Sequence, residues 1–366
     1  MKHSRVEFFR WIPGCSAPTR HGLSLLFTLF FYAYGFVLIL KSGNISQIWH
    51  EGSAGERAEL IVVFGGLLVI YAAGAGVSRL ESIRSGARHG AFSKRFRANK
   101  MGVVGFVLLL AILCSAILAP LLSMYDPLEQ PEPVLERYMP PSLGHPMGTD
   151  KFGRDILSRV LYGARVSLSI GVIAVILAAL LGTGIGAVSG YVGGWIDGLS
   201  MRVVDGLLAF PRLLIVLTLV ALFSNSFTLI IAVIAATAWM GIARLVRTEV
   251  QSLKQTKFIE AARAAGLGRV RIIYKHLIPN SLGPVIVAAT LRIGGVILLE
   301  SSLSFLGLGI QPPAPSWGAM VFEGREVLLS AWWVAAFPAI AIVAAVIACN
   351  LLGDGLRDAM DVRTPV

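Results

Sequence analysis

The sequence predicts an all-α polytopic membrane protein with eight spanning helices. Three observations carry that prediction. Hydrophobic residues make up 55% of the 366 and charged residues only 14%, against about 25% charged in soluble domains. Apolar runs long enough to cross a bilayer, roughly 20 residues each, recur along the whole chain. The formal charge of +11 is spread between those runs instead of being gathered on one surface. That spread excludes a nucleic-acid binder and fits basic cytoplasmic loops between spans.

In order, the spans fall at residues 23–40, 60–77, 102–122, 166–188, 203–223, 229–246, 284–306 and 332–352. The first is long for a secretory leader and has no clear small-residue cleavage site after it, so it reads as a retained helix. Residues 78–101 carry seven Lys and Arg against Glu81, and residues 247–283 carry seven against Glu249 and Glu260. Both segments are expected in the cytoplasm, and an even number of spans puts both termini there. Residues 41–59, with more acid than base, then lie outside, as does the 123–165 loop with its Pro-rich stretch at 125–150. That stretch reads as an ordered, extended excursion. Cys15, Cys114 and Cys349 have neither metal-ligand nor disulfide-framework spacing.

Residues 252–280, SLKQTKFIEAARAAGLGRVRIIYKHLIPN, are the most informative stretch. Ser252 and Gln255 fit a capping box that opens a helix, and Gly266 fits a left-handed cap that closes it. A second short helix places Val270, Ile273, Tyr274 and Leu277 on one apolar face, and Pro279 ends it. The product is a helical elbow outside the membrane. Its apolar stripe either packs on the ends of its own spans or docks a soluble partner, and spacing alone leaves both open.

Inside the seventh span lie Arg292 and Glu300, eight residues apart and roughly 12 Å along a helix, too far to pair with each other. Either they line a translocation path, or each is neutralised by a neighbouring helix or by snorkelling. Gly182, Gly186 and Gly190 make two G-x-x-x-G steps, a helix-packing signal, followed by a short turn with Trp195 and Asp197. At the outer face, Gly148, Asp150, Arg154 and Asp155 either meet a partner protein or tie down their own loop. No P-loop, H-E-x-x-H or G-x-S-x-G pattern is present. An embedded enzyme would need a catalytic cluster that the sequence lacks, and an ion-driven transporter usually shows internal repeats, of which none is evident.

The elbow resembles the EAA loop of binding-protein-dependent importer permeases, on Glu260, Ala261, Ala262, Gly266, Ile278 and Pro279. It departs from that pattern at His276, where an aliphatic residue is usual, and at Ile278, where leucine is. KHLIPN is similar to the peptide-transporter branch. So are SKRFRANKMGVVG before the third span, GTDKFGRDILSRVLYGARVSL from Gly148, SFLGLGIQPPAPSWGAM from Ser304 and NLLGDGLRD from Asn350. The resemblance runs from about Lys94 to Asp361 and is to the C-type permease of dipeptide, oligopeptide and nickel importers. It implies a type I ABC importer transmembrane fold with a six-helix core. It divides the chain into an extra N-terminal helix pair (1–90), a permease segment with one span and the outer loop (91–165), and the permease core (166–366). It further implies a B-type permease partner, two ATPase subunits that hold ATP and Mg2+, and an extracytoplasmic solute-binding protein. This chain would bind no cofactor, sit in the bacterial inner membrane, and carry dipeptides, oligopeptides or, as the alternative, nickel chelates or other small solutes.

Overall fold

The computed structural model describes residues 89–130, 136–223, 226–311 and 313–360. The two spans expected at 23–40 and 60–77 lie outside the described residues. What is described is helical, with one isolated bridge between Thr149 and Asp155. Its helices are, in chain order, α1 (His89–Ala98), α2 (Lys100–Ile117), α3 (Ala119–Leu122), α4 (Ile156–Val192), α5 (Gly194–Leu208), α6 (Arg212–Leu222), α7 (Phe227–Lys254), α8 (Lys257–Ala264), α9 (Arg269–Phe305), α10 (Trp317–Gly324) and α11 (Trp333–Met360). Five of them, α2, α4, α7, α9 and α11, are long and apolar enough to cross a membrane, and the bent pair α5–α6 makes six. The boundary expected at residue 166 falls inside α4.

Helix starts obey local chemistry. Asn99 caps α2 by accepting from the Gly102 amide at 2.8 Å, and its Nδ2 donates to Asp358 at 2.6 Å, tying α2 to the end of α11. Asp155 caps α4 through the Ser158 amide at 2.7 Å, and Ser226 and Ser316 cap α7 and α10. At 37 residues α4 is about 55 Å long, well beyond the roughly 30 Å hydrocarbon layer.

The core is built on α4 and α7, which pack along most of their lengths, with α9 against both and α11 against α9. Small residues bring the backbones together. A Cβ on Gly182 would sit 2.7 Å from the Trp239 carbonyl oxygen, one on Gly190 2.7 Å from that of Arg247, and one on Gly186 would overlap the Ala243 carbonyl. The G-x-x-x-G steps therefore serve packing within the chain, on α7. Gly102 and Gly355 do the same for α2 and α11, where a Cβ on Gly102 would lie 2.7 Å from the Gly355 Cα. These crossings group the start of α2, the ends of α4, α7 and α11, and the start of α9 at one end of the bundle, together with α8. The opposite end holds the 136–155 loop, the end of α9, α10 and the start of α11.

Three expectations are corrected. The span at 203–223 is not one helix: α5 and α6 meet at 83°. Pro211 has no N–H to donate and disfavours helical geometry at Phe210, so the helix ends at Leu208 and restarts at Arg212. Ser252 opens no helix, because α7 runs to Lys254 and Gln255 is its C-cap; the next helix begins after Thr256. Trp195 and Asp197 belong to α5, not to a turn.

Candidate functional site

The elbow starts from a tight reversal. After α7, Gln255 N–H donates to Ser252 O and Thr256 N–H to Leu253 O. Helix α8 then runs eight residues and closes on a Schellman motif: Leu267 N–H reaches Ala262 O at 3.2 Å and Gly266 N–H reaches Arg263 O at 2.9 Å. Gly266 has φ +76°, a region costly for a residue with a Cβ. The cap expected at Gly266 is thus present, and it turns the chain into α9.

The first turns of α9 are unusual. Residues Ile273–Leu277 form a π-helical turn, with Ile278 N–H bonded to Ile273 O. The helix does not end at Pro279; it continues to Phe305. A proline inside a regular helix removes one bond and collides with the carbonyl four residues back. The wider turn makes room for it, and Asn280 Nδ2 donates to the His276 carbonyl at 2.6 Å. Local insertions of this kind rotate the residues on one side of the turn relative to those on the other, which is why the face expected of the second helix differs. Ile272, Ile273 and Leu277 are buried, whereas Val270 and Tyr274 are about 70% exposed.

The elbow has two faces. On its inner face Ile259, Ile272, Ile273 and Leu277 join a core with Tyr191 of α4 and Val246 and Val250 of α7, and Ala262 is buried too. The Arg263 guanidinium lies over the Tyr191 ring, 5.2 Å from its centroid. The outer face presents Phe258, Glu260, Ala261, Ala264, Ala265, Gly266, Val270 and Tyr274 to solvent. Of the motif residues, then, Glu260, Ala261 and Gly266 face out, Ala262 faces in, and Ile278 and Pro279 are half-buried at the start of the span. Packing on the chain's own spans is seen for the Ile273 and Leu277 half of the apolar stripe, while the Val270 and Tyr274 half is open to solvent.

Beside the elbow, Arg247 holds Asp197 through two hydrogen bonds, Nε to Oδ1 at 2.5 Å and Nη2 to Oδ2 at 2.6 Å, and Ser189 also donates to Asp197. This joins the ends of α4, α5 and α7 where the elbow begins. In the sequence Arg247 stands out only as loop charge.

Within the bundle, Glu300 is fully buried and accepts from Ser304 at 2.9 Å and Ser167 at 3.4 Å. It knits α9 to α4 and faces no open space. Arg292 of α9 packs against α7, with Nη1 3.3 Å from the Ala238 carbonyl, and its guanidinium fills the place a Cβ on Gly241 would take. A second arginine, Arg212 of α6, reaches the same helix, α7, and was missed in the sequence. The signal was there: a proline followed by a charge inside an apolar run. Outside the bend, Phe210, Pro211, Leu214, Ile215, Thr218 and Leu219 line an open apolar groove of about 290 Å³.

At the opposite end, Asp150 is bonded by Arg154 Nε at 2.7 Å and by Arg159, and both arginines reach Glu323 of α10, at 3.2 and 3.0 Å. Asp155, besides capping α4, bonds His145 Nδ1 at 3.0 Å. Asp150, Arg154 and Asp155 are buried, and Gly148 turns with φ +76° against Trp333. The geometry favours loop anchoring over partner contact for all four. The sequence did not reveal Arg159, Glu323 or His145 as members of this cluster.

Residues 182–365 match the family described as binding-protein-dependent transport system inner membrane component. Residues 91–141 match the N-terminal transmembrane domain of oligopeptide transport permease C. The chain is similar to the dipeptide transport system permease protein DppC of Bacillus subtilis, 42% identical over 73% of this chain and 83% of that one. It is 43% identical to the protein of the same name from Alkalihalophilus pseudofirmus, over 73% and 88%. With the glutathione transport system permease protein GsiD of Salmonella paratyphi A it shares 46% identity over 74% and 89%.

Proposed function

The chain belongs to the family of binding-protein-dependent transport system inner membrane components, and from that premise we propose that it carries short peptides into the cytoplasm as one half of a translocation pore. As a member of that family it is a multi-pass inner-membrane permease, works with ATPase and solute-binding partners, and leaves ATP hydrolysis to the former. The proposed assembly adds a B-type permease, two ATPase subunits and an extracytoplasmic binding protein, with ATP and Mg2+ held by the ATPases. Relatives named for dipeptide and for glutathione transport have small peptides as their common solute, which favours that class here.

One observation carries the coupling role: the elbow is anchored to α4 and α7 by one face while the other is left open. An apolar and small-residue surface of that kind on a loop outside the bilayer calls for a protein partner. In this reading Ala261, Ala264 and Ala265 let the ATPase approach closely, and Glu260 is free to bond it. Gly266 and the half-buried Ile278 and Pro279 fix the angle at which the elbow leaves the membrane. Closure of the ATPase dimer pushes α8, and the buried Ile259–Ile272–Leu277 contacts pass the motion to α7 and α9, alternating access to the pore.

The test is Ala261→Trp, which enlarges the open face without touching the anchored one. Co-purification of the ATPase subunits in mild detergent is expected to fall about ten-fold or more, in line with an interface hot spot blocked by a bulky side chain, while the permease stays in the membrane. Undiminished co-purification would remove α8 from the interface.

A further inference from the structure

Arg212 of α6 and Arg292 of α9 reach the same stripe of α7. Arg212 donates through Nε to Thr237 Oγ1 at 3.2 Å and through Nη2 to the Ile234 carbonyl at 3.4 Å. Arg292 donates through Nη1 to the Ala238 carbonyl at 3.3 Å and lies over Gly241. Residues 234, 237, 238 and 241 line up along one face of a helix, so the two guanidiniums sit about a turn apart. The Thr237 hydroxyl spends its own hydrogen on the Val233 and Ile234 carbonyls, leaving its oxygen to accept from Arg212. Thr237 is roughly 15 Å from the start of α7 by helical rise, deep within the spanning region.

Among the described residues no carboxylate lies within ion-pair distance of either arginine. Like charges repel strongly in a medium of low dielectric, and an unpaired cation at this depth is costly. A fold that keeps two of them together, each with N–H groups left over after its neutral partners, is prepared for an anion. Two features agree. Arg212 is the first residue of α6, whose opening amides have no capping side chain, and the positive end of a broken helix favours negative charge. Arg212 and Arg292 are both only half-buried, and Gly295, about one turn beyond Arg292 on α9, has nothing within 4 Å of where a Cβ would stand.

We propose that Arg212 and Arg292 form a carboxylate-binding station on the translocation path, which holds the C-terminal carboxylate of a peptide in transit. The proposal rests on the peptide-importer reading and goes beyond it by assigning the group recognised and the residues that recognise it.

The experiment uses the assembled transporter in proteoliposomes, with initial uptake rates of trialanine and of trialanine C-terminal amide, each saturating the solute-binding partner. Arg212→Gln is expected to lower the acid-to-amide rate ratio about ten-fold, the worth of a charge-assisted hydrogen bond, and Arg212→Lys to restore part of it. Gly241→Ala, which displaces the Arg292 guanidinium but keeps its charge, is expected to lower the ratio too, and gives the answer if the Gln variant does not assemble. An unchanged ratio in the variants that transport overturns the station. Loss of assembly in all three assigns the arginines to a subunit contact and also overturns it. A parent transporter that moves neither peptide removes the peptide reading itself, which an unchanged ratio leaves standing.

Discussion

Asp150 accepts from Arg154 and Arg159, and each arginine also reaches Glu323. Two cations and two anions therefore meet where Asp150, Arg154 and Arg159 are each less than 5% exposed. Charges out of water are tolerated only when paired, and removing one member leaves another uncompensated. Asp150→Asn keeps the shape of the side chain and leaves two arginines facing one glutamate. The variant is expected to lose about 3–5 kcal/mol of stability, measured by chemical denaturation of the purified protein in detergent. The Arg244–Asp205 pair gives the contrast, since its side chains are 51% and 64% exposed. Screening by water holds the cost of Asp205→Asn within about 1 kcal/mol. Equal losses in the two variants would mean that water reaches the Asp150 cluster as freely as it reaches the surface.

Helix pairing turns on whether a glycine faces a neighbour. Gly184 and Gly186 stand two residues apart on α4. A Cβ on Gly186 would overlap the Ala243 carbonyl of α7, whereas one on Gly184 would meet nothing within 4 Å. Alanine is a better helix former than glycine by about 1 kcal/mol, so Gly184→Ala is expected to be neutral or stabilising. Gly186→Ala must push two backbones apart and is expected to destabilise by about 1–3 kcal/mol. The thermal unfolding midpoint should fall for Gly186→Ala and hold or rise for Gly184→Ala, and a Gly186→Ala midpoint that does not fall below that of Gly184→Ala would refute the α4–α7 contact. The G-x-x-x-G spacing was legible in the sequence because it is a property of one helix; the partner helix was not, because nothing local names it. The same divide explains the rest. Five spans and the Gly266 cap were legible because length, hydropathy and left-handed geometry are written within a few residues. The π turn before Pro279 rotated the elbow's face away from the expected positions. The Ser252 capping box failed because hydrophobic packing on α4 carried α7 through it. Glu323 stands 164 residues from Arg159, and only the folded chain joins them.

The whole molecule has two chemically distinct ends. The elbow end gathers residues 99–100, 190–197, 247–280 and 355–360, and with them all seven Lys and Arg of the basic 247–283 segment. The opposite end carries the Asp150 cluster and the apolar tips Leu143 and Leu329, both fully exposed. Positive charge stays on the cytoplasmic side during insertion, so the orientation we propose puts the elbow end in the cytoplasm and the tips outside. In that proposed orientation the six crossings, counting α5–α6 as one, begin and end on the cytoplasmic side, where the proposed coupling role needs the elbow. Cysteine labelling checks the assignment, in a background with Cys15, Cys114 and Cys349 replaced by alanine. Leu143→Cys and Leu329→Cys are expected to react with a membrane-impermeant maleimide on intact spheroplasts. Tyr274→Cys, about 70% exposed at the elbow, is expected to react only after permeabilisation. The expression must be of this subunit without its ATPase and binding-protein partners, so that protection reports the bilayer and not a docked protein. Labelling of Tyr274→Cys from outside would invert the molecule, place the open face of α8 away from any source of ATP, and end the coupling proposal. Labelling at both ends in intact cells would instead break the count of crossings, and the bend at Pro211 is where it would break: α5 and α6 would then enter and leave on the same side, and the arginine station would lose its path.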